Sequence, residues 1–394
     1  MTPPDLPAPL RPEIEALETS GISQLFALGV DREGVIPLWF GEGDLPTPDF
    51  ISASAIRSLE AGNTFYSHKR GIPALREAIV AYMNGLFGAA LDVERITVTS
   101  SGMNGIMLAL QTIAGAGDSV VVVSPVWPNI MSGVRIMGAA LKTVSLHSRE
   151  DGFHLDMDAL MAACGERTRA VFVNSPSNPT GWVMGREDQQ ALLEFCRPRG
   201  IWIMADEVYH RFAYNRPAST RPRAPSFLDL AQADDAVIVV QSFSKTWAMT
   251  GWRMGWLVHP ASLGANFDRL VEFNTSGVPR FLQDGCITAL NEGDGFACHV
   301  IERCRQGRDL VTQRLSTLPR VRLACPEGAF YAFFAVEGLT DSLDTAKRIL
   351  DEVSVGLAPG SAFGPGGEGH LRLCFAGGTE RLSTALERLV PLFR

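Results

Sequence analysis

Several kinds of chemistry are missing from this 394-residue sequence. It has no long run of lysine or arginine and a formal net charge of −8, so the electrostatic footprint of a nucleic-acid binder is absent. No apolar stretch approaches the ~20 residues that a bilayer-spanning helix requires. The seven cysteines (Cys164, Cys196, Cys286, Cys298, Cys304, Cys325 and Cys374) are odd in number and scattered, with no CxxC pair. That argues against a disulfide framework or a thiolate zinc site and predicts small buried apolar residues. The seven histidines form no HxxxH or HExxH pair, so no metal site is expected. The opening MTPPDLPAPLRPEIEALE lacks the charged-then-apolar order of a signal peptide, which predicts a cytoplasmic protein.

What the sequence has is the composition of a globular enzyme, 46% hydrophobic and 20% charged. Its length calls for one large domain and a smaller one. Short Val- and Ile-rich runs alternate with amphipathic segments: ITVTS (96–100), SVVVVSP (119–125), KTVSL (142–146), AVFVNSP (170–176), GIWIMADE (200–207), AVIVVQSFS (236–244) and MGWLVHP (254–260). Runs apolar on both faces suit a mostly parallel sheet covered by helices, an α/β class. After about residue 262 the pattern changes to long amphipathic helices and then a smaller α+β unit. The expected division is a large domain over 46–290 and a small one built from 1–45 and 291–394. APGSAFGPGGEG (358–369) reads as a loop.

Five segments carry candidate chemistry. In SFSKTWAMTGWRMG (242–255), Lys245 follows Ser242 and Ser244 and precedes Arg253. A nucleophilic amine and a phosphate-binding set thus lie together, although Ser-x-Ser-Lys alone is usually a surface feature. In MADEVYH (204–210), Asp206 ends a strand with Tyr209 three residues on; a carboxylate there holds a pyridinium charge or is a solvated loop acid. VNSPSNPTG (173–181) places Asn178 in a turn, where it serves a cofactor oxygen, the turn itself, or both. TSSGMNGI (99–106) joins a strand to a helix, with Gly102 allowing close approach and the amides of Met103 and Asn104 opening an anion site. SPVWPN (124–129) puts Trp127 just past a strand end, to stack on a flat cofactor or to fill the core.

In this order the segments resemble the fold type I pyridoxal 5′-phosphate (PLP) enzymes of the class I/II aminotransferase family, aspartate aminotransferase-like, from LWFGEGDLPTPDFI (38–51) to HLRLCFA (370–376). The resemblance implies a three-layer fold in the large domain and PLP as cofactor. Lys245 matches the Schiff-base lysine. Ser242, Ser244 and Arg253 match phosphate ligands, with Gly102, Met103 and Asn104 in the phosphate turn. Asp206 matches the acid on the ring nitrogen, Tyr209 and Asn178 the donors to the ring oxygen, and Trp127 the stacking aromatic. FYSHKRGIPALREAI (65–79) is similar to a stretch whose tyrosine, here Tyr66, reaches the neighbouring subunit's phosphate, implying a homodimer. Arg372 matches the clamp on the substrate α-carboxylate, with Gly41, Asn178 and Trp127 beside it.

The implied activity is ping-pong transfer of an amino group from an L-amino acid to a 2-oxo acid, with Lys245, Asp206 and Tyr209 catalytic. The alternative is a lyase or β-eliminating enzyme on the same fold. Two positions bear on the substrate. Aspartate-handling relatives often carry a lysine just after the glycine pair of the phosphate turn, and Asn104 is read as that position here. Arg280 in SGVPRFLQ (276–283) is a candidate for an acidic side chain or else a structural arginine.

Overall fold

The Val- and Ile-rich runs assemble one seven-stranded sheet in a computed structural model that describes residues 9–214 and 221–394. Its strands are β1 (Ile96–Thr99), β2 (Ser119–Ser124), β3 (Ala140–Ser145), β4 (Thr168–Asn174), β5 (Trp202–Asp206), β6 (Val237–Ser242) and β7 (Gly255–Val258). They lie in the order β1-β7-β6-β5-β4-β2-β3. The pairs from β6 to β3 are parallel, whereas β7 runs antiparallel to both β6 and β1. Alternation explains why these runs are apolar throughout. Val120, Val122, Ile238 and Val240 point into one core, and Val121, Val123, Val237 and Val239 into another on the opposite face. The edge strand β3 is the exception: its residues are exposed or half-buried.

A second sheet is built from β8 (Val321–Arg322), β9 (Tyr331–Val336), β10 (Ala358–Pro359) and β11 (His370–Cys374), in the antiparallel order β8-β9-β11-β10. The long helix Asp294–Leu315 lies beside it, burying Ile301, Cys304, Val311 and Leu315 along one stripe. The segment 358–369, expected to be all loop, contributes β10 and a 3₁₀ turn over Gly360–Phe363. Its glycines mark close backbone approach: a Cβ on Gly360 would lie 2.0 Å from the Gly367 carbonyl oxygen. The expected burial of the cysteines also needs correction, because Cys298 and Cys325 are exposed. Among the described residues no helix is long and apolar enough to cross a membrane.

The N-terminal segment packs on the second sheet's core, although the first eight residues of the expected 1–45 arm lie outside the described residues. Helix Gly21–Gly29 buries Ile22 and Leu25 there, and Ile36–Pro37 pairs in parallel with Val355–Gly356. Trp39 follows and is gripped by two glycines: a Cβ would lie 2.5 Å from its ring at Gly29 and 1.9 Å at Gly356. Gly356→Ala must therefore displace the indole, an overpacking cost of about 1–3 kcal/mol. A thermal or denaturant melt of the variant checks this, and an unchanged midpoint would mean that the ring yields freely.

Candidate active site

The carboxyl ends of β1, β2, β4, β5 and β6 and the start of β7 meet at one edge of the sheet, around a cavity of about 470 Å³. Ligands bind at such an edge because the loops leaving the strands bring chemistry from distant segments together. The register fixes which residues meet: Asn174 lies opposite Asp206, and Gly255 lies between Ser242 and Thr99. Only glycine suits position 255, since a Cβ would sit 2.7 Å from the Gln241 carbonyl oxygen and 2.8 Å from the Gly102 nitrogen.

Lys245 leaves the end of β6 and points into the cavity, where its Nζ donates to the Gly41 carbonyl at 2.7 Å. Burial lowers its pKa to about 8. Just before it, Ser244 N donates to Ser242 Oγ at 3.1 Å, and Ser242 Oγ donates to Ser244 Oγ at 2.9 Å, folding the turn so that both hydroxyls line the cavity. Arg253 takes a left-handed conformation at φ +55°, donates to the Thr250 carbonyl at 2.6 Å, and lines the same end. Across from it, helix Gly102–Ile113 begins at the cavity wall. Its cap, Ser101, sits at φ +143°, a strained value for a residue with a side chain, and its Oγ accepts from Asn104 N at 3.0 Å.

That contact corrects the reading of Asn104. Its amide is taken by the cap, its side-chain oxygen accepts from Ser100 N at 3.3 Å, and it does not line the cavity. Met103 does. One helical residue is a turn of about 100°, enough to exchange the side chain that faces the ligand for the one that faces the loop.

Asp206 is buried, and burial pushes its carboxyl up to about 7, with the Val208 amide and the Lys245 amine opposing. Its backbone oxygen accepts from Asn174 Nδ2 at 3.0 Å, and Asn174 Oδ1 accepts from Asn178 N at 2.7 Å. The Asn178 carbonyl accepts from Trp127 N at 2.9 Å. The Asn174 amide thus ties Asp206 to the Asn178 turn, and the Asn178 carbonyl ties that turn to the segment carrying Trp127, making a single wall. Tyr209 Oη lies 2.6 Å from Tyr331 Oη, and burial raises the pKa of both phenols. The motif's other polar residues have structural partners: Glu207 holds Ser226 Oγ at 2.6 Å and Phe227 N at 3.1 Å, and His210 lies 3.0 Å from Tyr82 Oη.

Arg372 comes from β11 and is 2% exposed. Its Nη1 donates to Asn178 Oδ1 at 2.8 Å and its Nη2 to the Trp39 carbonyl, while Nε has no partner. The rings of Tyr331 and Phe363 lie 4.6 and 4.8 Å from its Cζ. A buried guanidinium fixed by two rings and two acceptors, with Nε unpartnered and a second N–H left on each Nη, is prepared for a carboxylate. Gly41 completes this corner, because a Cβ there would lie 1.9 Å from Tyr331 Oη.

Two expected residues lie away from this cavity. Tyr66, 94% exposed, lines a separate surface groove with Phe65 and Arg280. Arg280 is ion-paired with Asp284 four residues along its own helix. Asn174, Tyr331 and the Trp39 carbonyl were not anticipated from sequence. Asn174 stands inside the quoted VNSPSNPTG run, and its place at the end of a strand was the one signal available.

Comparison with known proteins agrees with this geometry. The family model described as aminotransferase class I and II matches residues 35–389. An aspartate aminotransferase of Pyrococcus horikoshii is 31% identical, with 95% of this chain and 94% of the relative covered. An LL-diaminopimelate aminotransferase of Desulforudis audaxviator is 35% identical, over 98% of this chain and 95% of the relative. The structure of a Thermus thermophilus aspartate aminotransferase single mutant superposes with a TM-score of 0.89 at 30% identity, covering 98% of this chain and 100% of that one. Nothing among these relatives favours the lyase alternative.

Proposed function

The chain belongs to the class I and II aminotransferase family and is a transferase of amino groups between amino acids and keto acids; on that footing we propose that pyridoxal phosphate is its cofactor and that Lys245 carries it. The observation that supports this most is the meeting of three features in one cavity: a buried amine with a lowered pKa, a buried carboxyl with no cation in contact, and a set of anion donors. Each lacks the partner the cofactor offers. Asp206 would pair with the ring nitrogen, Ser242, Ser244, Arg253 and the amides of Gly102 and Met103 would hold the phosphate, and Lys245 would carry the aldehyde carbon. Tyr209 and Asn178 would donate to the ring oxygen, and Trp127 would cover the ring face.

When bound, the cofactor supplies a carbonyl that condenses with amines and a ring that spreads negative charge from the substrate Cα. The chain's residues do the rest. Asp206 keeps a proton on the ring nitrogen. Arg372 and the Gly41 corner hold the substrate carboxylate, which sets the Cα–H bond in the cavity. Lys245 Nζ takes and returns the Cα proton, and its lowered pKa leaves it neutral often enough near pH 8 to act as a base. We further propose a cytoplasmic homodimer, with Tyr66 serving the neighbouring site; the 84% and 94% exposure of Phe65 and Tyr66 supports that placement.

Initial rates over a grid of donor and acceptor concentrations test this reading: parallel double-reciprocal lines are expected, with one keto acid formed per amino acid consumed. Ammonia released without an acceptor would move the assignment to a lyase. Arg372→Ala should raise the amino-acid KM by about 10–100-fold, the value of a charge-assisted contact. Arg372→Lys should recover little of this, because an ammonium cannot copy the fork. Unchanged saturation in the alanine variant would remove Arg372 from the carboxylate site.

A further inference from the structure

We infer that the amino donor of this enzyme carries an uncharged, apolar side chain of leucine size or larger. This rests on the aminotransferase reading above and concerns the part of the cavity that the cofactor and the α-carboxylate leave free.

Among the described residues lining the cavity, those that carry charge are Asp206, Lys245, Arg253 and Arg372, and the reading above assigns each of them to the cofactor or to the α-carboxylate. The rest of the wall carries no charge, and much of it is apolar. Ile22 comes from the Gly21–Gly29 helix, Phe40 from the residue before Gly41, and Met103 and Ile106 from one face of the Gly102–Ile113 helix, three residues apart. Pro128 joins them, and the polar residues left over, Ser20, Ser23 and Asn129 among them, are neutral. Two of these, Ser20 and Ser23, lie within 3.0 Å of each other, and Ser23 N donates to Ser20 Oγ. Phe40 has its ring 5.0 Å from that of Phe26 yet remains 38% exposed, an aromatic face left open at the cavity.

A distal carboxylate placed against this wall loses water and meets no free cation, and a distal ammonium meets no free carboxylate. Arg280 shares the groove of Tyr66 and would approach the neighbouring site with it, but its charge is already paired with Asp284. An apolar side chain gains from the same wall, and one methylene in a fitted pocket is worth roughly 10-fold or more in specificity.

The test uses the cofactor-loaded enzyme and single amino acids without any keto acid, following the conversion of the cofactor spectrum. Leucine, methionine and phenylalanine should exceed alanine by at least about 10-fold in kcat/KM and exceed aspartate, glutamate and lysine by about 100-fold. Phe40→Ala should narrow the leucine-to-alanine ratio, Met103→Lys should shift preference toward aspartate, and Arg280→Ala should leave the ranking as it is. Binding gives a separate readout: 4-methylpentanoate should raise Tm more than glutarate at equal concentration. Aspartate, glutamate, lysine or arginine as best donor, or alanine equal to leucine, would overturn the inference while leaving the aminotransferase reading intact. If no amino acid converts the cofactor, the underlying reading fails and this inference with it.

Discussion

Lys245→Ala is expected to lower turnover by at least about 10⁴-fold, the upper range for a positioned acid–base group, because the same nitrogen also carries the cofactor. No second amine lines the cavity to replace it among the described residues. Its environment explains how a lysine can serve near neutral pH. Burial disfavours the ammonium, so the pKa falls to about 8, and Tyr209 and Phe330 present ring faces 5.8 and 6.0 Å away in place of water. The sign is definite: a lowered amine pKa means the neutral nucleophile is the minor form below about pH 8 and the major form above it. Loading of cofactor-free enzyme with pyridoxal phosphate should therefore accelerate as pH rises toward that value and level off beyond it. The fold should hardly notice the substitution, since Nζ makes one hydrogen bond, to the Gly41 carbonyl. A variant that melts like the parent but does not turn over is the expected result, and a variant that cycles amino groups at the parent rate would remove Lys245 from the chemistry.

Asp206→Asn carries the second large effect, a fall in kcat of about 10²–10³-fold, the range seen when one preorganised electrostatic partner is removed from a buried site. The asparagine keeps the size of the side chain and its contact with the Val208 amide but cannot balance a positive ring nitrogen. The aspartate sits where that charge matters most. Burial has pushed its carboxyl up to about 7, so it is costly to keep ionised until a cation arrives opposite it. Asp206→Ala should fall about as far as Asp206→Asn. If the asparagine variant kept the parent rate while alanine did not, shape rather than charge would be the contribution, and the role proposed for Asp206 would be wrong.

The sequence made the sheet legible because buried strands have little freedom in composition. Val120–Val123 and Val237–Val240 must be apolar on both faces. Strand direction was less legible. MGWLVHP reads like the other runs, yet β7 is antiparallel, because the chain from Ser242 to Gly255 turns back through the lysine loop and no residue in the strand itself records that. At the site, Lys245, Asp206, Arg253, Asn178, Tyr209, Trp127 and Arg372 were named from segments far apart in sequence, and the structure places all seven on one cavity. What escaped were residues that act through others. Asn174 ties Asp206 to the Asn178 turn by its side chain, the Trp39 carbonyl holds Arg372, and Tyr331 lies against Tyr209 and the guanidinium; none stands out by type or spacing. Asn104 was misplaced by one residue because a helix start has no sequence mark for which side chain faces inward. Met103 faces in, so the wall presents a thioether there rather than an amide.

The most direct test of the account is the near-ultraviolet and visible spectrum of the purified protein, before and after adding one amino acid with no keto acid present. A visible band from lysine-bound cofactor should give way to the near-ultraviolet band of its amine form, with an equivalent of keto acid released. A protein that shows no cofactor band even after soaking with pyridoxal phosphate would contradict it.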